Sequence, residues 1–248
     1  MPIAFLVLVL AVVTLAHSAP APFLLEASPR YRSLWRVPQR TGARPTVYLT
    51  FDDGPNARWT PPLLDALREH DVRATFFVID RQITPDTEAI LRRTAVEGHT
   101  IGVHTGSRRL MIASPSRVAR DVRQAADRIA RITGQRPCAM FRPHAGWRSV
   151  TMYEGLRKAG YTLVGWSWGM WDWHWWQRPD GNSVATRLAN RATAGDIIVI
   201  HDGHHADPNA DRRHAADAVR ALVPRVRARG LSFASRCAGT PIVSDAPP

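Results

Sequence analysis

The chain has 248 residues, is 45% hydrophobic and 22% charged, and carries a formal net charge of +12 with Lys158 as its only lysine. One domain of this size buries a full core, and the absence of internal repeats or low-complexity tracts sets aside repeat and linker-like architectures. The arginines are scattered over helical faces (Arg117, Arg120, Arg123, Arg128, Arg131) with no basic block and no nucleic-acid module. The charge therefore reads as a solvated basic surface, not a nucleic-acid site, with attraction to an anionic envelope surface as its secondary consequence.

Ile3 to Ala16 is an almost unbroken apolar run. It has the length of a signal-peptide core and is short for a membrane span. Ala16-His17-Ser18 offers small residues for cleavage, but no Lys or Arg precedes the run. Residues 1–18 are read as a signal peptide or a short membrane anchor, and the protein as secreted or envelope-associated. Residues 19–44, rich in Pro and Arg, read as a linker or irregular lead-in, 45–237 as the domain and 238–248 as a tail.

Within the domain, strand and helix patterns alternate, which argues for an α/β fold with parallel strands. Strands are expected at Val47–Phe51, Ala74–Ile79, Thr100–Val103, Ala139–Arg142, Tyr161–Trp168, Asp196–His201 and Leu231–Ala234. Helices are expected at Pro61–His70, Pro85–Glu97, Ser116–Thr133, Val150–Ala159, Ser183–Ala192 and Ala215–Arg229, several of them closed by glycine. This gives about seven β/α units, and periodicity leaves a closed barrel and an open doubly wound sheet equally open. Cys138 and Cys237 stand far apart without metal-ligand spacing, so a disulfide and two buried thiols both remain open.

Thr50-Phe51-Asp52-Asp53-Gly54-Pro55 ends the first long strand with two adjacent carboxylates. Strand ends of this kind are where α/β barrels place their chemistry. One carboxylate suits a metal and the other a proton; ordinary turn chemistry is the competing explanation. His104-Thr105 lies at a second strand end, Phe141-Arg142-Pro143-His144-Ala145-Gly146 at a third and Val199-Ile200-His201-Asp202-Gly203 at a fourth. Between the last two runs, residues 166–176 hold six of the nine tryptophans and Asp172-Trp173. Exposed indoles stack well on sugar rings, although packing accounts for part of such a run.

In order and wording these segments resemble the motifs of the polysaccharide deacetylases of carbohydrate esterase family 4, the NodB-homology domain. The resemblance implies a distorted (β/α) barrel and hydrolysis of N-acetyl groups on amino sugars of a polysaccharide or oligosaccharide. It implies Asp52 as general base, Arg142 as its ion-pair partner, His201 as general acid and Asp172 as the tether of His201. It further implies Asp53 and His104 as ligands of a divalent metal, usually zinc, and the His144 N–H as an oxyanion donor, while the tryptophan run itself offers Trp171 and Trp173 as candidate sugar platforms. Arg108 stands where the family's second motif has another metal-binding histidine. A guanidinium has no lone pair to offer a metal. Arg108 is thus a candidate for binding an anionic substrate group, and His144, His174, His204 and His205 are candidate replacement donors. The departure keeps two alternatives in view: a non-catalytic glycan-binding protein on the same fold, and a deformylase acting on a lipid-linked sugar.

Overall fold

The computed structural model describes residues 3, 5–8, 24–169, 171–172 and 179–237. Its strands are β1 (Ser33–Leu34), β2 (Thr46–Asp52), β3 (Thr75–Ile79), β4 (Thr100–His104), β5 (Met140–Arg142), β6 (Thr162–Val164), β7 (Ile197–His201) and β8 (Ser232–Phe233). The helices are α1 (Thr60–Glu69), α2 (Pro85–Val96), α3 (Pro115–Thr133), α4 (Val150–Ala159), α5 (Gly181–Arg191) and α6 (His214–Ala228). The sheet runs β1-β6-β5-β4-β3-β2-β7, with β8 added to the start of β2, and every pairing is parallel.

The sheet curls until its edges meet at a thin seam. Ser167 N donates to Ile197 O at 2.8 Å, Val199 N donates to Trp168 O at 2.9 Å, and Arg36 bridges Asp196. The result is a distorted barrel, as the resemblance implied. The expected single strand Tyr161–Trp168 is two pieces, β6 and the seam residues. The break falls at Gly165, where a Cβ would lie 2.0 Å from the Trp35 ring. The missing side chain is what lets Trp35 pack there.

Strand parity decides what enters the barrel. Along β2, Val47, Leu49 and Phe51 join the core under the helices, whereas Tyr48 joins the barrel interior with Phe77, Met140, Val164, Trp166, Ile197 and Val199. Side chains alternate along a strand, so Asp52 shares the inward side of Tyr48 and Thr50. The same parity turns His104, Arg142 and His201 inward at the ends of β4, β5 and β7. The outer core is supplied by helices with the expected spacing, such as Val118, Val122, Ala125, Ala126 and Ile129 of α3. Ser114 caps that helix by accepting from Arg117 N, and Gly134 ends it at φ 76°. Leu63, Leu64 and Leu67 of α1 are fully buried, each contributing about 2 kcal/mol.

Residues 24–37 of the expected lead-in belong to the barrel. Buried Arg148 meets Glu26 at 3.1 Å, and Glu26 also accepts from Trp35 Nε1 at 3.1 Å and from the Tyr153 hydroxyl at 2.8 Å. Cys138 and Cys237 form a disulfide with Cα atoms 5.3 Å apart. Surface arginines are largely spent on neighbours, as in Arg117–Asp121 and Arg220–Glu69. Among the described residues no helix is long and apolar enough to cross a membrane.

Candidate active site

Parallel register brings the inward-facing strand ends together. Asp52 is paired with His201 across β2 and β7, and His104 with Arg142 across β4 and β5. All four residues are buried. Neighbouring carboxylates on a regular strand would point apart. Asp53 avoids this by adopting φ 73°, a left-handed conformation uncommon outside glycine, as the strand ends. Gly203 makes that turn possible from the other side: a Cβ on it would lie 2.1 Å from Asp53 O.

Arg142 is fully buried and hydrogen-bonded through all three of its side-chain nitrogens. Its Nη1 donates to Asp52 Oδ1 at 2.6 Å and to Thr50 Oγ1 at 2.8 Å. Its Nη2 donates to Gly165 O at 2.8 Å, and the guanidinium lies 4.0 Å from the centre of the Phe77 ring. One oxygen of Asp52 is therefore fixed by a charged hydrogen bond, which orients the carboxylate.

His201 is held by Asp172. The carboxylate accepts from the His201 backbone N at 2.5 Å and meets Nδ1 at 3.0 Å. A carboxylate can only accept, so Nδ1 carries the proton. Burial pushes the His201 pKa down, but the charge and hydrogen bond of Asp172 outweigh it and leave the pKa raised. For Asp172 burial acts upward and is overcome by the charge of His201 and by bonds to His201 and His214, so its pKa is lowered. His214 Nε2 stands 3.4 Å from Asp172 Oδ2, and Arg212 donates to Gly203 O at 2.7 Å and to Asp172 O at 3.4 Å. His214 and Arg212 went unnoticed in the sequence because they read as an ordinary helix entrance.

His104 Nδ1 donates to the Arg142 carbonyl at 2.6 Å. The neutral ring therefore keeps its lone pair on Nε2. That nitrogen lies 3.2 Å from Asp53 Oδ1, a buried oxygen that accepts no hydrogen bond of proper geometry. Two buried lone pairs facing each other repel unless a positive charge lies between them. Burial raises the Asp53 pKa, yet contact with His104 and the charges of His104, His201 and His205 leave it lowered. His104 shows the matching raise: burial opposes its charge, but Asp52, Asp53 and the Arg142 carbonyl prevail. These two residues fit a divalent cation, with the carbonyl fixing the ring as outer partners of metal-bound histidines do. Among the described residues no three His, Cys, Asp or Glu side chains converge closely enough to hold one.

Position 108 does not complete the set. Arg108 opens a short 3-10 turn, and its guanidinium lies over the Trp147 ring at 5.3 Å. His144 begins another such turn, and its ring is 4.5 Å from that of His205. Burial pushes the His144 pKa down to about 4, helped by the charges of His205 and His104. Trp171 stacks on Trp168 at 6.4 Å with Arg191 over its face at 5.1 Å, so the structure gives it packing partners. Trp166 is buried inside the barrel. Trp173 and His174 lie outside the described residues.

The family profile described as polysaccharide deacetylase matches residues 39–164. A chitooligosaccharide deacetylase of Rhizobium leguminosarum bv. trifolii is 32% identical over 196 residues, covering 76% of this chain and 89% of its own. The chain belongs to the polysaccharide deacetylase family. The crystal structure of the Bc1960 peptidoglycan N-acetylglucosamine deacetylase is 25% identical with a TM-score of 0.71, covering 83% of this chain and 91% of that one. A family 4 acetyl xylan esterase from Clostridium thermocellum, solved with a cobalt ion, is 28% identical with a TM-score of 0.68, covering 77% and 87%. As a polysaccharide deacetylase-like hydrolase, this chain stands in a family that is generally metal-dependent.

One buried group here belongs to neither the Asp52–Arg142 nor the His201–Asp172 pair. Asp202 accepts from Thr60 Oγ1 at 2.6 Å, and its Oδ1 accepts nothing. Burial first, and then the charges of Asp53 and Asp52, push its pKa up from 3.8 to about 7. The folded state thus keeps a proton that the unfolded chain gives up near pH 3.8. Stability from this group is complete below that value and is lost as pH rises to about 7. Urea unfolding in the presence of a chelator should show Asp202→Asn gaining about 1 kcal/mol or more over wild type between pH 5 and pH 8. Equal pH slopes in the two proteins would remove the raised carboxyl from the account.

Proposed function

We propose that this chain hydrolyses N-acetyl groups from amino sugars of a polysaccharide or oligosaccharide. The observation that carries the reading is the pairing, across adjacent strands at one barrel mouth, of a carboxylate fixed by Arg142 with an imidazole fixed by Asp172. Asp52 takes a proton from water, whose oxygen attacks the acetyl carbon. The His144 N–H donates to the carbonyl oxygen as negative charge develops on it. His201 gives its Nε2 proton to the departing nitrogen, the C–N bond breaks, and acetate and a free amine leave. Asp53 and His104 are the residues that would hold a divalent cation. Such an ion, with zinc suited to this nitrogen and oxygen donor set, supplies Lewis-acid activation of water and carbonyl. Arg108, Trp171 and Trp173 are assigned to substrate contact. The apolar leader and basic surface support a location in or outside the envelope, facing a glycan and not a nucleic acid.

Two relatives act on chitooligosaccharide and peptidoglycan by name, which makes these the first substrates to supply. Acetate and new amine should appear in equal amounts from at least one of them. Formate from a formamido sugar with no acetate from any glycan would transfer the activity to deformylation. Glycan binding with neither product would leave a non-catalytic binding protein, the outcome that Arg108 would then explain.

A further inference from the structure

Asp53 and Asp202 are each followed by a glycine, and each glycine leaves room for the other aspartate. A Cβ on Gly203 would lie 2.1 Å from Asp53 O, and one on Gly54 would lie 2.3 Å from Asp202 Oδ2. The two Asp-Gly steps therefore interlock at the ends of β2 and β7. Backbone bonds cross the contact in one direction: the N–H groups of Asp202 and Gly203 donate to Asp52 O at 3.2 and 3.3 Å. The Asp202 side chain links the two ends a second time. It accepts from Thr60 Oγ1 at 2.6 Å, and the same hydroxyl accepts from Asn56 N at 2.8 Å. One carboxyl thus joins the end of β7 to Gly54, to the first residue of α1 and, through its hydroxyl, to Asn56. Asp202, Thr60 and Asn56 are all buried. The space beside the carboxyl, about 10 Å³ and lined by Phe76, Leu91 and Thr94, admits no sugar. Asp202 therefore acts on the reaction only through what it holds.

We propose that Asp202 is a positioning residue for deacetylation: wedged onto Gly54 and bonded to Thr60, it locks the aspartate turn and so sets Asp52 against His201. The inference rests on the acetyl-hydrolase reading above. Asp52 and His201 are register partners across β2 and β7. Their carboxylate and imidazole must share one water and one departing nitrogen. Ladder bonds hold the strands only as far as these two residues. Past them the chain turns, with Asp53 at φ 73°, and the Asp202–Thr60 bond braces that turn from behind. Such a brace matters because a displacement of about 1 Å at a reacting group can cost about 10²-fold in rate.

The test is steady-state acetate release from a chitooligosaccharide, joined to amide hydrogen exchange on the same full-length proteins, with circular dichroism checking that each is folded. Asp202→Ala should lower kcat by about 10-fold or more and leave KM within about threefold, because the turn shifts and the sugar contacts do not. Asparagine keeps the shape and an oxygen that accepts from Thr60, so Asp202→Asn should win back most of the lost kcat. Thr60→Val removes the same bond at nearly constant shape and should reproduce the loss, which keeps the test open if Asp202→Ala does not fold. Exchange at the Asn56 and Gly203 amides should be about 10-fold faster or more in Asp202→Ala than in wild type. Gly54→Ala sets a methyl onto the Asp202 carboxyl, so it should cost more rate in wild type than in the Asp202→Ala background. Wild-type kcat in folded Asp202→Ala or Thr60→Val would overturn the inference, as would a loss that falls on KM or that asparagine does not recover. No product from wild type on any glycan would instead defeat the acetyl-hydrolase reading. Exchange would then decide the brace by itself, and unchanged protection in Asp202→Ala would overturn it.

Discussion

Asp52→Asn is expected to reduce kcat for acetate release by about 10³-fold while leaving glycan affinity nearly unchanged. An amide has the shape of the carboxylate and still offers an oxygen to Arg142, but it cannot take a proton from water. The substitution also removes the counter-charge of a fully buried guanidinium. Its stability cost should fall short of the roughly 3–5 kcal/mol of a broken buried ion pair, because Thr50 and the Gly165 carbonyl still accept from Arg142. Both quantities are needed: single-turnover acetate release gives the rate, and urea unfolding shows that the loss is not unfolding. His201→Gln supplies the contrast. With its pKa raised by Asp172, His201 stays protonated above the usual imidazole range. Its loss should abolish the alkaline fall in rate as well as lower the rate itself. A folded Asp52→Asn protein with wild-type turnover would remove Asp52 from the role of base.

Much of this site is legible from strand parity and the order of short motifs. Tyr48, Thr50 and Asp52 alternate with apolar residues, which places Asp52 on the inner face before any coordinates are known. What parity does not carry is the left-handed turn at Asp53. That turn depends on contact with Gly203, a residue 150 positions away in sequence. The same reason hides Asp172's other neighbours: His214 and Arg212 reach it only because α6 begins beside β7. The burial of residues 24–37 is hidden for a different cause. Glu26 and Trp35 sit in a polar, proline-rich stretch without periodicity, and their burial comes from one ion pair and one indole. Trp168 and Trp171 show the limit of composition: their stacking beneath Arg191 is a packing arrangement that an exposed-looking tryptophan run does not announce.

The resemblance locates the departure at position 108, where the Arg108 guanidinium lies over the Trp147 ring. Every β/α loop of such a barrel opens at the same mouth, which is how Arg108 after β4 reaches the Trp147 ring after β5. The Asp52–Arg142 pair is set by strand ends, whereas the His201–Asp172 pair takes Asp172 from the segment between β6 and α5. Arg142 occupies the last regular position of β5, so substitution of Arg108 should leave the Asp52–Arg142 pair undisturbed.

That pair carries the largest expected effect on the fold. Arg142→Met should destabilise the protein by about 3–5 kcal/mol, because Asp52 loses its guanidinium partner in a buried site while Thr50 and the Gly165 carbonyl lose a donor. Lysine should not restore it. The guanidinium fork reaches Asp52 and Thr50 with one nitrogen and the Gly165 carbonyl with another, and a single ammonium on a flexible stem does not reproduce that geometry. Adding Asp52→Asn to Arg142→Met should recover part of the lost stability, since the remaining buried charge disappears with the second substitution. Activity should not return in the double variant. Urea midpoints for the four proteins of this cycle measure the coupling directly. Additive costs, with no recovery in the double variant, would mean that Arg142 holds the barrel mouth through its carbonyl bonds alone and that Asp52 is oriented by something else.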